Sequence, residues 1–480
     1  MKKILVWFRR DLRLADNPAL YAAKQHRVIP IYIHAPEEEA PWQPGGASRW
    51  WLHHSLDALA AELKKMGSRL ILRQGDTAAA LLQLLAEIGA DAVYCNRLYD
   101  PATMKRDAAI KRLLADKGIE YKSFAAGLLF EPWEVLTQSA TPYKVFTPFW
   151  NSCQKFGLPS DIRPGMRKLS SVSTQIKSVP LAQLRLLPTI HWDRAFYEYW
   201  TPGEVSAQRQ LRQFIKHDLA DYERGRDYPA LNSTSRLSAC LHFGEISPRQ
   251  IVYAIEQTTH AGATNNVKKN AQGFLRELVW REFTHHVLYH FPQTIKKPLN
   301  PRFEDFPWDK KANHYLRAWQ QGRTGYPIID AGMQELWATG TMHNRVRMIV
   351  GSLLTKNMNL HWLQGAKWFW DTLVDADLAQ NTFNWQWIAG CGADAAPYFR
   401  IFNPVTQSEK FDAQGNYIRR WLPALSHVPA RYIHRPWNMS TAEQQQCKVM
   451  IGQDYPAPIL DLKTSREDAL LRYKKTTSGP

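Results

Sequence analysis

Four apolar runs punctuate the start of the chain: ILVWF (Ile4–Phe8), VIPIYIH (Val28–His34), RLILR (Arg69–Arg73) and DAVYCN (Asp91–Asn96). They are of strand length, and a short continuous apolar run suits a strand buried on both faces. Stretches of helical period separate them. In SRWWLHHSLDALAAELKKMG, Ser48 is placed to cap a helix and Gly67 to stop it. Strand and helix in alternation predict a doubly wound, Rossmann-like parallel α/β sheet over residues 1–130. No GxGxxG follows the first strand, so this half need not bind a nucleotide by the dinucleotide fingerprint.

Beyond this region the pattern changes. Prolines recur at Pro132, Pro142, Pro148, Pro159, Pro164, Pro180 and Pro188, and few segments are periodic. Residues 131–200 read as a long connector, expected to wrap along the rest of the protein because a free loop of that length is uncommon. From Pro202 helices dominate. SPRQIVYAIEQ opens with Ser247 as cap and Pro248 in the first turn. NNVKKNAQGFLRELVWREFTHHVLYHF is a long helix ended by Pro292, and GTMHNRVRMIVGSLLTKN is another, opening after Gly340. The expected organisation is therefore an α/β domain (1–130), a connector (131–200), an all-α domain (201–470) and a polar tail (471–480). A chain of 480 residues is also too long for one comfortable core.

The apolar core of the N-terminus, Ile4–Phe8, is too short for an export signal, and Arg9, Arg10 and Asp11 follow at once. No run is long and apolar enough for a membrane span, so the expected location is cytoplasmic. The five cysteines are scattered without CxxC spacing, which argues against a disulfide framework and a zinc site. His286 and His290 stand four apart, yet no HExxH or third ligand accompanies them, and no metal is expected. Neither a G-x-S-x-G elbow nor a P-loop is present. A formal charge of +17 suits a polyanionic partner such as nucleic acid, or a generally basic enzyme.

Three places could carry chemistry. On the long helix, Glu277, Trp280, Arg281 and Thr284 fall on one face, and Asn344, Arg347 and Met348 repeat the theme on the next. Two polar stripes in a domain this rich in tryptophan suggest a lined cavity. An ordinary amphipathic helix with an Arg–Glu pair would give the same spacing. In NSTSRLSACLHFGEISP, Ser233, Thr234, Ser235 and Ser238 crowd around Arg236 ahead of a helix. That arrangement is either a phosphate cradle built without glycines or a capped turn. DADLAQNTFNWQW concentrates Asp375, Asp377, Asn381, Trp385 and Trp387.

These strings, with VWFRRDLRLADNPAL, YKVFTPFW, TSRLSACLHFGEISPRQ, ELVWREF, GYPIIDAGMQ, MHNRVRM and DAAPYFRIFNPVTQSEKFD, follow the order of the photolyase/cryptochrome family nearly end to end. The chain resembles most the cyclobutane pyrimidine dimer photolyases of bacteria. That resemblance implies an α/β antenna domain and a helical domain holding FAD. It implies FAD contacts at Tyr222, Thr234, Ser235, Arg236, Leu237, Ser238, Phe274, Arg281, Arg347, Asp375, Asp377 and Asn381, with Arg347 paired to Asp375. Phe274 is tryptophan in some relatives. It implies lesion contacts at Glu277, Trp280, Asn344, Met348 and Trp387, and DNA-backbone contacts at Arg226, Arg345 and Gln407. Trp385, Trp362 and Trp308 match an electron relay, while Trp319, Trp337, Trp368 and Trp370 keep a packing role.

The implied reaction is light-driven splitting of pyrimidine dimers in UV-damaged DNA, by an electron from reduced FAD to a dimer flipped out of the duplex. The implied enzyme is a monomer in the bacterial cytosol or nucleoid. Glu277 must be protonated to donate a hydrogen bond, which burial beside indole favours; an ionised Glu277 accepting from base N–H groups is the alternative. The rival reading is a cryptochrome-type blue-light receptor without repair. Plant cryptochromes carry aspartate where this chain has Asn381, and a neutral amide cannot hand over a proton as an aspartate can. The (6-4) photolyases carry a second histidine where this chain has Asn344. A second rival is a light-independent DNA-binding flavoprotein. The folate grip of one branch, an Asn–Glu pair, is replaced here by Ala102 and Thr103. Methenyltetrahydrofolate bound in another way is the expected antenna, with a deazaflavin or an empty site as alternatives.

Overall fold

The computed structural model describes residues 1–477 apart from 167, 170, 171, 174, 261, 311, 312, 396 and 399. All four apolar runs form strands: β1 (Lys3–Phe8), β2 (Arg27–His34), β3 (Ile71–Gln74) and β4 (Ala92–Asn96). A fifth, β5 (Glu120–Phe124), was not legible as apolar sequence. All pairings are parallel, in the order β3-β2-β1-β4-β5. Leu5 lies opposite both Ile29 and Val93, so the central strand is apolar to either side.

The strand that sequence missed is the edge strand. EYKSF carries charge outward, with Glu120 paired to Lys2 at 2.7 Å and to Lys122. Charge on an edge discourages pairing with a further chain. The opposite edge is covered by the proline-rich stretch. Val179 N–H donates to Leu72 O (3.1 Å), and Ser178 Oγ accepts from Leu72 N–H (2.9 Å). That stretch also carries the helix Phe146–Phe156 and a single-turn helix, Phe196–Tyr199.

The first long helix runs Gly46–Lys65 with Gly45 at its cap position. Ser48 therefore lies buried inside the first turn rather than capping it, and the cap falls three residues earlier. Gly67 does stop the helix, at φ +80°. Ser247 behaves as its sequence suggests. Its Oγ accepts from Gln250 N–H (3.0 Å), while Gln250 Oε1 accepts from Ser247 N–H (2.9 Å).

The chain divides into two compact units, each discontinuous in sequence. One comprises 1–220, 235–292 and 374–379; the other 221–234, 293–373 and 380–480. The first holds the sheet, its flanking helices and the helix Asn265–His290. The second is helical, around buried Trp319, Val346, Val350, Trp362, Phe369 and Trp385. In it the helices Pro327–Thr339 and Asn344–Ser352 meet where Gly332 faces Val346, with no room for a Cβ. Past Ser352 the helix widens into a π-turn over Leu353–Asn357. The polar C-terminal stretch is helical to Thr477, with Tyr473 stacked on Tyr398 at 4.5 Å. Among the described residues no helix is long and apolar enough to cross a membrane.

Candidate functional site

In the first unit the helix Asn265–His290 presents most of the expected polar face. Phe274 is buried against Phe214, with ring centroids 4.6 Å apart. Glu277 is half-buried. Trp280 stacks on Phe146 at 3.6 Å and 8°, which covers one indole face and leaves the ring partly exposed. The Arg281 guanidinium turns to the chain around Gly127, donating from Nη1 to its carbonyl at 2.8 Å. Arg281 Nε is buried without a partner among the described residues.

Asp377, buried in the same unit, has two imidazoles against one oxygen. His242 Nδ1 lies 3.4 Å and His285 Nε2 3.5 Å from Oδ2. Burial opposes its charge, yet the two imidazoles win and hold its carboxyl well below the usual range. A small cavity beside it, about 30 Å³, is lined by Arg10, Asp100, Arg281, His242, His285 and Asp377 among others. It lies where β1 and β4 diverge, the crevice in which doubly wound sheets commonly take ligands. Here side chains fill that crevice: Arg9 pairs with Asp107 at 2.6 Å, Arg10 with Asp100, and Asn96 Nδ2 donates to Asp11 (2.6 Å). The remaining space holds about one water.

Sequence reasoning missed His242, His285 and Glu282. Glu282 accepts from Leu129 N–H (2.8 Å) and Phe130 N–H (3.3 Å), tying the end of the α/β segment to the long helix. An acid between Val279, Phe283 and His286 on an otherwise buried helix stripe was a signal available for it. His286 and His290 both address Pro132 O, at 3.1 and 3.0 Å. His286 Nε2 accepts from Tyr143 N–H at 3.0 Å, so this ring is neutral, and burial pushes it down to about 4.

The hydroxyl run leads into a short helix, Ser238–His242. The side-chain hydroxyls of Thr234, Ser235 and Ser238 make no hydrogen bond to another described residue. Together with the N–H groups of that first turn they are donors of the kind a phosphate ester takes. Arg236 adopts φ +54° and lies over Trp200, with Cζ 4.4 Å from the ring centroid. Leu237 is buried, and Asp375 is half-buried.

In the second unit Asn381 and Trp385, one helical turn apart, both face the helix Trp362–Thr372. Asn381 Nδ2 donates to Ala366 O at 2.9 Å, which fixes which end of the amide is nitrogen. Trp385 lies across Gly365, where any Cβ would overlap its ring, and edge-on to Phe369 at 5.0 Å. Gly365 is three residues past Trp362, so the two indoles meet the same helix face. Trp362 stacks on His361 at 5.6 Å, and Trp308 meets His361 at 5.3 Å. Trp385 and Trp362 are buried and Trp308 is half-exposed, an order running from interior to surface. Trp319 and Trp370 are buried, as packing requires. Trp337 is not: it is 51 % exposed and stacked on Trp368 at 6.3 Å, because its helix position faces outward. Trp387 is half-buried.

His343 caps the helix Asn344–Ser352, its Nδ1 accepting from Arg345 N–H at 3.2 Å. Asn344 is exposed and Met348 half-buried. Arg347 Nε donates to Met342 O at 2.7 Å. The three side chains expected on a DNA backbone fall in one neighbourhood. Arg345 lies over Phe411 (Cζ to centroid 4.4 Å), which ends the helix carrying Gln407. Arg226 begins the turn whose Tyr228 meets Phe411 at 6.4 Å.

Residues 274–475 match the family model described as the FAD binding domain of DNA photolyase, and residues 4–165 match that of DNA photolyase. The chain belongs to the DNA photolyase family. It is 47 % identical to a deoxyribodipyrimidine photo-lyase of Agrobacterium fabrum, over 99 % of this chain and 98 % of that one. It is 39 % identical to cryptochrome-2 of Arabidopsis thaliana, over 97 % of this chain and 78 % of the other. The crystal structure of a bacterial class III photolyase from Agrobacterium tumefaciens superposes with a TM-score of 0.95 at 45 % identity, covering 100 % and 98 % of the two chains. The hydroxyl run lies between the two spans that the family models match.

Proposed function

We propose that this chain splits cyclobutane pyrimidine dimers in UV-damaged DNA with the energy of light, as a deoxyribodipyrimidine photo-lyase using FAD. The observation that carries repair over blue-light reception is Asn381. Its amide is buried, neutral and held by Ala366 O, so at this position the chain offers a fixed dipole and no acidic proton.

Bound in its reduced form, FAD supplies light absorption and the electron that opens the dimer ring and is afterwards returned. Thr234, Ser235, Ser238 and the backbone at Arg236 and Leu237 would hold its phosphates. Tyr222, Phe274, Arg281, Arg347, Asp375, Asp377 and Asn381 would line the remainder. The orphaned Arg281 Nε and the free hydroxyls fit such a ligand. His242 and His285 keep Asp377 ionised, so it can only accept hydrogen bonds.

Photolyases are among the enzymes that flip their target out of the duplex, at a cost of roughly a few kcal/mol that is least for a damaged pair. Trp280 and Trp387 would then offer flat apolar surface to the dimer, and Met348 a further apolar contact. Glu277 and Asn344 offer hydrogen bonds to its base edges. Arg226, Arg345 and Gln407 take the DNA backbone and set register without reading bases. Trp308, Trp362 and Trp385 form a path of indoles along which an electron can be brought inward.

Thr103 cannot grip a folate, since its hydroxyl is buried and donates to Asp100 O at 2.9 Å. The filled crevice likewise leaves no room for a deazaflavin there. Our reading of the antenna is methenyltetrahydrofolate held elsewhere, and of the working form a cytosolic monomer acting at the nucleoid.

The test is a comparison of wild type with Asn381→Asp on an oligonucleotide bearing one thymine dimer, under blue light. Wild type restores the thymines and the variant does so several-fold more slowly. A wild type that holds flavin yet repairs nothing in light is a receptor instead.

A further inference from the structure

One of the three backbone-contacting side chains already has an anionic partner. Asp227 Oδ1 lies 2.5 Å from Arg345 Nη2. Asp227 is not a wandering surface acid. It sits in the turn after the helix Tyr222–Gly225, where Arg226 N–H donates to Tyr222 O (2.9 Å) and Leu231 N–H to Tyr228 O (3.0 Å). Arg420 Nη2 holds the turn at Ala230 O (3.1 Å), Tyr228 rests against Phe411, and Gly225 meets Ser233 too closely for a Cβ. The guanidinium is held as firmly: Phe411 beneath its plane, Met348 Sδ 3.8 Å from Nη1, Asp227 on Nη2. The pair stays within reach of solvent, at 22 % and 38 % side-chain exposure.

In a chain of net charge +17 that binds a polyanion, an acid on this arginine is a local cost to affinity. What it brings is restraint. A guanidinium presents its donors as a fork. With one prong on Asp227 and its face on Phe411, only the remaining edge can take a phosphate, and only at one place. A backbone held in register by a flipped dimer meets that edge. Undamaged DNA is bound almost wholly by unspecific charge attraction and slides over the surface; it meets a neutralised pair instead of a free cation.

We propose that Asp227 is a specificity-determining residue: it holds Arg345 in one orientation and withholds its charge from undamaged DNA. This rests on the placing of Arg345 at the DNA backbone in the preceding section.

The experiment measures affinity by fluorescence anisotropy for a dimer-bearing oligonucleotide and its undamaged twin, over a range of salt. It uses the flavin-loaded wild type, Asp227→Asn, Arg345→Gln and the double variant. Asparagine keeps an oxygen for Arg345 and removes the charge. Asp227→Asn raises affinity for undamaged DNA about fivefold and steepens its log–log salt slope by about 0.9, the increment for one more phosphate contact. Dimer affinity moves less than twofold, so discrimination falls. In the Arg345→Gln background the added substitution changes undamaged affinity less than twofold. Asp227→Ser is the second variant and should agree. Unchanged discrimination in Asp227→Asn overturns the proposal, as does an equal rise with Arg345 absent, which marks a diffuse charge effect. A wild type that does not prefer the dimer sinks the underlying function as well.

Discussion

Replacing Gly365 by alanine tests whether Trp385, the indole proposed for the relay, is seated where the fold places it. A methyl group at Gly365 would overlap Cη2, Cζ3 and Cζ2 of Trp385. The ring has little room to withdraw: it is 3 % exposed, with Phe369 edge-on at 5.0 Å and Trp319 at 6.1 Å. Overpacking of a dense core costs about 1–3 kcal/mol, and this site belongs at the upper end. Alanine in place of glycine within a helix returns about 1 kcal/mol. The net expectation is a loss of about 2 kcal/mol of stability in urea unfolding. Displacing the indole should also slow light-driven reduction of the oxidised, flavin-loaded enzyme by an external donor, while chemically reduced enzyme still repairs. A variant as stable as wild type, with unchanged photoreduction, would refute the seating of Trp385 on this helix.

Three further outcomes follow from the same structure. Lys356 is buried with its amine on Arg400 O (2.9 Å), and burial pulls it down to about 7. Between pH 7 and its unfolded value the unfolded chain binds more protons, so stability from this group is complete at high pH and lost as pH falls through 7. Wild type should therefore gain about 2 kcal/mol on Lys356→Met between pH 7 and pH 9, read by urea unfolding at each pH. Trp308→Phe should suppress photoreduction from an external donor while leaving repair by chemically reduced enzyme near wild type, measured by flavin absorbance and by repaired lesions. Arg226→Ala should weaken damaged and undamaged DNA alike and flatten the log–log salt slope by about 0.9.

The sheet was legible because β1 to β4 are buried over most of their length and so are largely apolar. β5 was not, because an edge strand is spelled with charge, as Glu120 and Lys122 show. The Ser247 cap was legible because its box lies within four residues. Ser48 misled because the helix begins at glycines, which carry no capping side chain to read. On the long helix, spacing alone put Glu277, Trp280 and Arg281 on one face. The partners of Asp377 were out of reach, since His242 and His285 stand 135 and 92 residues away and no local pattern ties them together. Asp227 was invisible for the same reason: its meaning lies in Arg345, 118 residues on. Trp337 shows the reverse limit, an indole assigned to packing that helical phase turns outward.

The most direct test of the account is repair itself. Reduced, flavin-loaded protein is mixed with an oligonucleotide bearing one thymine dimer, and intact thymines are counted under blue light and in the dark. The account predicts restoration in the light alone, with many lesions repaired per enzyme molecule. Dimers left unchanged under illumination, with flavin present and DNA bound, would contradict it.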